Sequence, residues 1–269
     1  MSELARRADR YPTGIAARHA VRSGIWQGPT AGLAPGYVQA NLVILPQVYA
    51  FDFLRFCVRN PKSCPVLDVT DPGSPHPSSY WAKDADLRTD LPRYRVYEGG
   101  AVVDEVRDIA DLWRKDSVAF LLGCSFTFER AMVSAGLPVR HLECGCNVPM
   151  FRTNWLCQPV GIFRGPLVVS MRPIPGHLVA RAVQVTARYP VTHGAPVRVG
   201  DPAGLGIADL YQPDYGDPVP VYPGEVPVFW ACGVTPQAVA QTVQLPWMIT
   251  HAPGHMFITD RLDTGLAIA

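Results

Sequence analysis

The stretch Glu225 to Gln237, EVPVFWACGVTPQ, decides the fold class, because it runs an apolar strand into a helix start through a Cys-Gly turn. Val226, Val228, Phe229 and Trp230 form the β-branched and aromatic run of a buried strand, and Gly233 permits a tight exit. Thr235 is then expected to cap a helix that Pro236 opens. Such a helix end leaves backbone N–H groups free to attract an anion. The plainer reading is an ordinary βα turn holding a buried cysteine.

The pattern recurs upstream. Ser117 to Leu122 is a second buried-strand run, and it enters GCSFTFERAMVSAG, where a Gly-Cys pair is followed by Ser125 or Thr127 and a helix closed by Gly136. Two junctions of related design point to two half-elements facing one cleft. Glu129, in the first turn of that helix, complements its dipole or takes part in catalysis.

Outward from these junctions, helices are expected over Ile15 to Gly24, Pro46 to Pro61, Val103 to Trp113 and Leu178 to Tyr189, with strands over Leu42 to Leu45, Cys64 to Val69, Tyr94 to Tyr97 and Leu167 to Met171. His141 to Pro159 reads as irregular. The chain has 269 residues, 48% of them hydrophobic, enough for one large domain or a main domain with a smaller lobe. A net charge of +1 disfavours nucleic acid or an anionic membrane as partner. No run reaches the length of a membrane-spanning helix. Seven cysteines, an odd number without a secretory segment before them, fit a reducing cytoplasm, and Glu3 and Asp9 among the first arginines argue against a transit peptide.

Polar residues at special places supply the candidate site. Gln39 and Asn41 flank an apolar run; Arg88 lies in a charged loop, Arg172 at an expected strand end, Asn147 in the irregular stretch and His193 beside Gly194. Asp217 sits among glycine and prolines of the tail. His251, His255 and Asp260 are a conceivable nitrogen and oxygen set for a divalent metal, although the Ala-Pro-Gly between the histidines rules out a one-face helical pair.

The strings VQANLVILP, DFLRFCVRNPKSCP, LRTDLPRY, VAFLLGCSFTFE, NVPM, VVSMRP, HGAPV, GEVPVFWACGVTPQ and HAPGHMFITD, in this order and spacing, resemble the D-glutamate cyclase family of hydro-lyases over nearly the whole chain. The resemblance implies a bacterial cytoplasmic enzyme of α/β fold, with a mixed-sheet three-layer main domain and a smaller two-layer α+β lobe. The main domain is expected over residues 1–117 and 201–269, the lobe over 118–200. The implied reaction is reversible dehydration of D-glutamate to 5-oxo-D-proline, an intramolecular attack of the amine on the side-chain carboxyl carbon. It needs a general base, a general acid and donors for an oxyanion. His193 is the expected base, with Glu225 or Asp217 as acid. Carboxylates of the substrate would be met by Arg172, Arg88, Cys124, Ser125, Asn147, Gly233 and Thr235. Cys232 allows a competing covalent scheme if the helix end lowers its pKa. No cofactor is expected, the divalent metal being the alternative. The expected partner is a small dicarboxylic amino acid, and a homodimer is left open. A hydro-lyase acting on another small acid and a non-catalytic carboxylate binder are the competing functions.

Overall fold

The computed structural model describes residues 10–268; the expectation drawn from Glu3 and Asp9 lies outside them. The chain is mixed α/β, built on two antiparallel sheets. The larger has seven strands: β1 (Tyr37–Pro46), β2 (Val66–Val69), β3 (Tyr94–Glu98), β4 (Ala101–Val106), β5 (Ser117–Gly123), β10 (Trp247–His251) and β11 (Phe257–Leu262), in the order β2-β5-β1-β10-β3-β4 with β11 also on β1. The smaller has four, β6 (Met150–Leu156), β7 (Pro166–Pro175), β8 (Arg198–Val199) and β9 (Glu225–Ala231), in the order β6-β7-β9-β8.

β1 is the spine of the large sheet, buried from Val38 to Pro46. Its alternation sorts side chains to opposite faces, as a period of two requires. Val43 and Leu45 meet Phe53, Phe56 and Cys57 of α2 (Gln47–Arg59) and Val239 and Ala240 of α6 (Thr235–Val243). Leu42 and Ile44 meet Ala82, Ala85, Leu87 and Leu91 of the loop before β3. Phe53 packs edge-on against Phe120 and Phe163, with ring centroids 4.9 and 5.2 Å apart. Such pairs contribute roughly 0.5–1.5 kcal/mol each beyond their burial. Helix α1 (Gly14–Arg22) lays Ala17 and Ala20 against Ile258 of β11.

The small sheet carries α3 (Phe126–Ser134) and α5 (Val179–Ala187) on one face, where Phe128, Met132 and Ala182 cover Ile174, Val228 and Trp230. Its other face is covered by Leu205, Ile207 and Val219. The short α4 (Arg140–Cys144) leads from α3 towards β6.

Several expectations change. Val103 to Trp113 is no helix: Gly99 and Gly100, both at positive φ, turn β3 back into β4, and only Ala110–Leu112 forms a short 3-10 turn. Residues 141–159, expected to be irregular, supply α4 and β6. β7 does not stop at Arg172-Pro173 but runs to Pro175, with Pro173 opposite Pro227 in β9, so Arg172 lies inside a strand. β5 belongs to the large sheet, and the small sheet spans Met150 to Ala231.

Candidate active site

The two strand-turn-helix junctions do meet, one from each sheet, but the space between them is core. Cys124 and Phe126 after β5 pack with Cys232 and Val234 after β9, together with Val168 and Met256. Asn41 links the turns: its Nδ2 donates to Gly123 O at 2.7 Å, and a Cβ on Gly233 would come within 2.0 Å of that amide nitrogen. Gly233 is thus a place of close approach to Asn41. Thr235 is the first residue of α6, not its cap; the cap position is Val234 in helical geometry. Its hydroxyl donates to Cys232 O at 2.7 Å and accepts from Val168 N at 3.1 Å, fastening the helix to β7.

The buried thiols do not suit attack. Burial pushes the Cys232 thiol up to about 11, the Val234 N–H and Arg172 opposing only in part, and burial raises Cys124 well above its ordinary range. The expected lowering by a helix end is outweighed by loss of solvent.

Arg172 is fully buried and fully engaged. Its Nε donates to Glu129 Oε1 at 3.1 Å, Nη2 donates to the same oxygen and to Ser125 Oγ, and Nη1 donates to Ser170 Oγ at 3.1 Å. Phe128 and Trp230 lie against the guanidinium, 5.6 and 5.4 Å from ring centroid to Cζ. His141 Nε2 comes within 3.1 Å of Glu129 Oε1. Burial alone would raise the Glu129 carboxyl, but His141 and Arg172 outweigh it and hold the group below its ordinary value. An arginine held this way neutralises a buried carboxylate and has no donor fork left for a substrate.

Three further sequence candidates are likewise engaged elsewhere. Arg88 pairs with Asp86 at 2.7 Å. Glu225 accepts from Arg140 and from Tyr222 N. His193 is buried with φ of 82°, its Nδ1–H donating to Lys62 O at 2.6 Å; burial drives the ring down to about 4, the Lys62 carbonyl opposing. The imidazole is neutral, as a base should be, but enclosed.

An open cleft lies instead at the boundary of the two sheets. It has a volume of about 380 Å³ and is lined by Arg93, Arg95, Glu105, Asn147, Asp214, Tyr215, Asp217, Pro253 and His255, among others. The large sheet supplies the cations. Arg95 lies on β3 with Arg93 just before it, two positions apart and hence on one face. Arg95 Nε donates to Glu105 Oε1 at 3.2 Å, and the Arg93 guanidinium has no ion pair among the described residues. The small sheet supplies the carboxylates: Tyr215 bridges to Met150 beside β6, which sets Asp214 and Asp217 at the rim.

Asn147 clamps the two sides together. Its N–H donates to Asp217 Oδ2 at 2.9 Å and its Nδ2 donates to Pro253 O at 3.0 Å. Gly254, at φ of 85°, lets this happen: a Cβ there would come within 2.4 Å of the Asn147 amide. His255 Nδ1–H donates to Pro253 O at 3.1 Å, which leaves the lone pair on Nε2. Burial pushes the imidazole below its ordinary value, the Pro253 carbonyl opposing and Arg93 adding to the depression, so the ring is neutral at pH 7.

His251, His255 and Asp260, the alternative metal set, are held apart by other partners. His251 is buried in β10 with Nδ1 3.2 Å from Leu42 N, and Asp260 holds Arg18 at 2.9 Å. No group of three or more His, Cys, Asp or Glu able to hold a metal ion occurs among the described residues. Arg93 and Arg95 were missed in the sequence, where a period-two reading of Arg93, Arg95 and Tyr97 before and within β3 would have found a polar strip.

Fold and cleft together define a mixed α/β protein with an open, polar cleft between its two sheets. The sequence model described as D-glutamate cyclase matches residues 118–260. The chain belongs to that family. Curated relatives named provisionally as hydro-lyases are 62% identical over 252 residues in Geobacillus kaustophilus, covering 94% of this chain and 95% of the relative. The figures are 64% in Rubrobacter xylanophilus, covering 94% and 97%, and 61% in Bordetella pertussis, covering 94% and 91%. Membership makes the chain an enzyme of the carbon–oxygen lyase class, a hydro-lyase. Among solved structures, a nitrogen repressor-like protein of Methanococcus jannaschii aligns at a TM-score of 0.37 and 10% identity, over 88% of this chain and 92% of that one. No helix among the described residues is long and apolar enough to cross a membrane.

Proposed function

We propose that the enzyme reversibly dehydrates D-glutamate to 5-oxo-D-proline in the cleft between the two sheets. One observation carries this reading: two arginines, a neutral histidine with a free ring nitrogen, and three carboxylates, of which Glu105 is paired with Arg95, converge on a single open cavity. Arg93 meets one carboxylate of the substrate through two parallel hydrogen bonds, and Arg95, whose Nε is held by Glu105, offers its terminal nitrogens to the other. Asp217 and Asp214 receive the ammonium.

The chemistry moves two protons from nitrogen to oxygen. The ammonium loses a proton to His255 Nε2, and the amine attacks the side-chain carboxyl carbon. The tetrahedral oxyanion rests against an arginine, an interaction strengthened as charge develops there. The second nitrogen proton passes through Asp217, and both protons end on the departing oxygen, which leaves as water while the lactam N–H remains. The tether between amine and carboxyl supplies the effective concentration, so no acyl-enzyme is required. The seven free cysteines fit a bacterial cytoplasm.

The test is turnover. Purified protein is incubated with D-glutamate or 5-oxo-D-proline, and both are followed by chiral chromatography, with other small hydroxy and amino acids alongside. Interconversion by the wild type, reduced by roughly 10²-fold or more in His255→Gln, is the expected result. Conversion of a different acid in preference, or turnover unchanged in His255→Gln, would overturn the assignment.

A further inference from the structure

A second cavity, of about 140 Å³, shares no lining residue with the cleft. Its walls are the Gly32 to Tyr37 segment, Gln39 of β1, Leu142, and α3 through Phe126, Glu129, Arg130 and Val133. Two of these polar side chains are buried, each only 3% exposed, and each holds an oxygen with no partner among the described residues: Gln39 Oε1 and Glu129 Oε2. A buried acceptor without a donor is costly, and two on one cavity need an occupant.

The orientation of each oxygen is fixed by what its neighbour atom does. Gln39 Nε2 donates to Thr30 O at 3.0 Å and Leu33 O at 3.3 Å, so flipping the amide would set its oxygen against two carbonyls. Both Arg172 bonds to the carboxylate go to Oε1, leaving Oε2 over.

The occupant's charge follows from the surroundings. Arg172 already neutralises Glu129, and Arg130, about half exposed, lines the same cavity with only a 3.7 Å contact to Asp263. A cation would face both arginines. A neutral N–H or O–H donor satisfies the deep oxygens, and an anionic end suits Arg130. Leu33, Phe126, Val133 and Leu142 fit an apolar body between the two ends.

We propose that this cavity is a second ligand site, for a small carboxylic acid that carries a neutral amide or hydroxyl donor. It is independent of catalysis in the cleft.

The probe is N-acetylglycine, compared by calorimetry with 4-oxopentanoate, which has the same shape with CH₂ in place of N–H. The wild type should bind N-acetylglycine at least about 10-fold more tightly, because the donor-free acid leaves the buried oxygens unpaired. Val133→Trp, at a half-exposed position of α3, should abolish that binding while leaving turnover and melting temperature unchanged. Soaked crystals should show the amide nitrogen within hydrogen-bond distance of Glu129 Oε2 or Gln39 Oε1. Equal affinity for the two acids, binding retained in Val133→Trp, or a cavity holding only water would overturn the proposal. Because the cavity and the cleft share no lining residue, failure of the cyclase reaction would not produce any of these outcomes.

Discussion

At His255, the proposed base, the two ring nitrogens are distinct. Nδ1 is committed to the Pro253 carbonyl, and Nε2 is the atom left to accept a proton. A base works only while neutral, and burial with Arg93 keeps this ring below its ordinary value of 6.5. The acidic limb of the kcat/KM profile should therefore lie below pH 6.5, where an ordinary histidine would already be protonated. Arg93→Gln removes a positive neighbour, so the imidazole pKa rises and the limb should move to higher pH; a pH profile of the two enzymes checks the direction. Cys232 offers the opposite case. A thiol pushed up to about 11 is protonated at neutral pH, so Cys232→Ser should keep turnover within about threefold. Loss of all activity, with an acyl-enzyme seen by mass spectrometry, would restore the covalent scheme. Asp217 and Asn147, chosen for their turn context, do line the cleft, whereas His193 and Arg172 have the right chemistry in enclosed places. Side-chain type was visible in the sequence; the ladder partner that buries it was not.

Among the elements, the β10–β11 turn organises the cleft. Residues 252–256 carry His255, accept the Asn147 amide and need glycine at 254. Gly254→Ala forces a Cβ into that amide at positive φ, a strain of about 1–3 kcal/mol. Urea unfolding should report that loss, and turnover should fall with it because Asn147 positions Asp217. The strand-turn-helix junctions were legible from Gly-Cys and Thr-Pro alone, and both helices form where expected. Their purpose was not legible, because a helix end that holds an anion and one that closes a core look alike until the opposite wall is known. Thr235 shows the difference: its hydroxyl is consumed by Cys232 O and Val168 N. The strand β4 was missed for a related reason. Val102, Val103 and Val106 satisfy either period over so short a run, and the Gly99-Gly100 turn decides between them.

Taken as a whole, the molecule places its proposed active groups where two antiparallel sheets abut, and its buried histidines contribute to its response to acid. His193 and His251 are driven down to about 4 and about 3 by burial, against 6.5 when unfolded. Below pH 6.5 the unfolded chain takes up protons that the folded chain refuses, so the stability these two groups contribute is fully present above that value and is lost as pH drops towards about 3. The urea midpoint measured across this window should decrease accordingly. The α/β class was readable from the apolar runs and their punctuation. The division between the sheets was not, since β5 pairs with β1 some eighty residues earlier, and such long-range pairing leaves no local mark. The proposed reaction takes place in the cleft that this division creates. A crystal structure with 5-oxo-D-proline bound is its most direct measurement. The ring nitrogen should lie within hydrogen-bond distance of His255 Nε2, with the carboxylate on Arg93 or Arg95; a cleft without the lactam, in crystals where the compound is bound elsewhere, would contradict it.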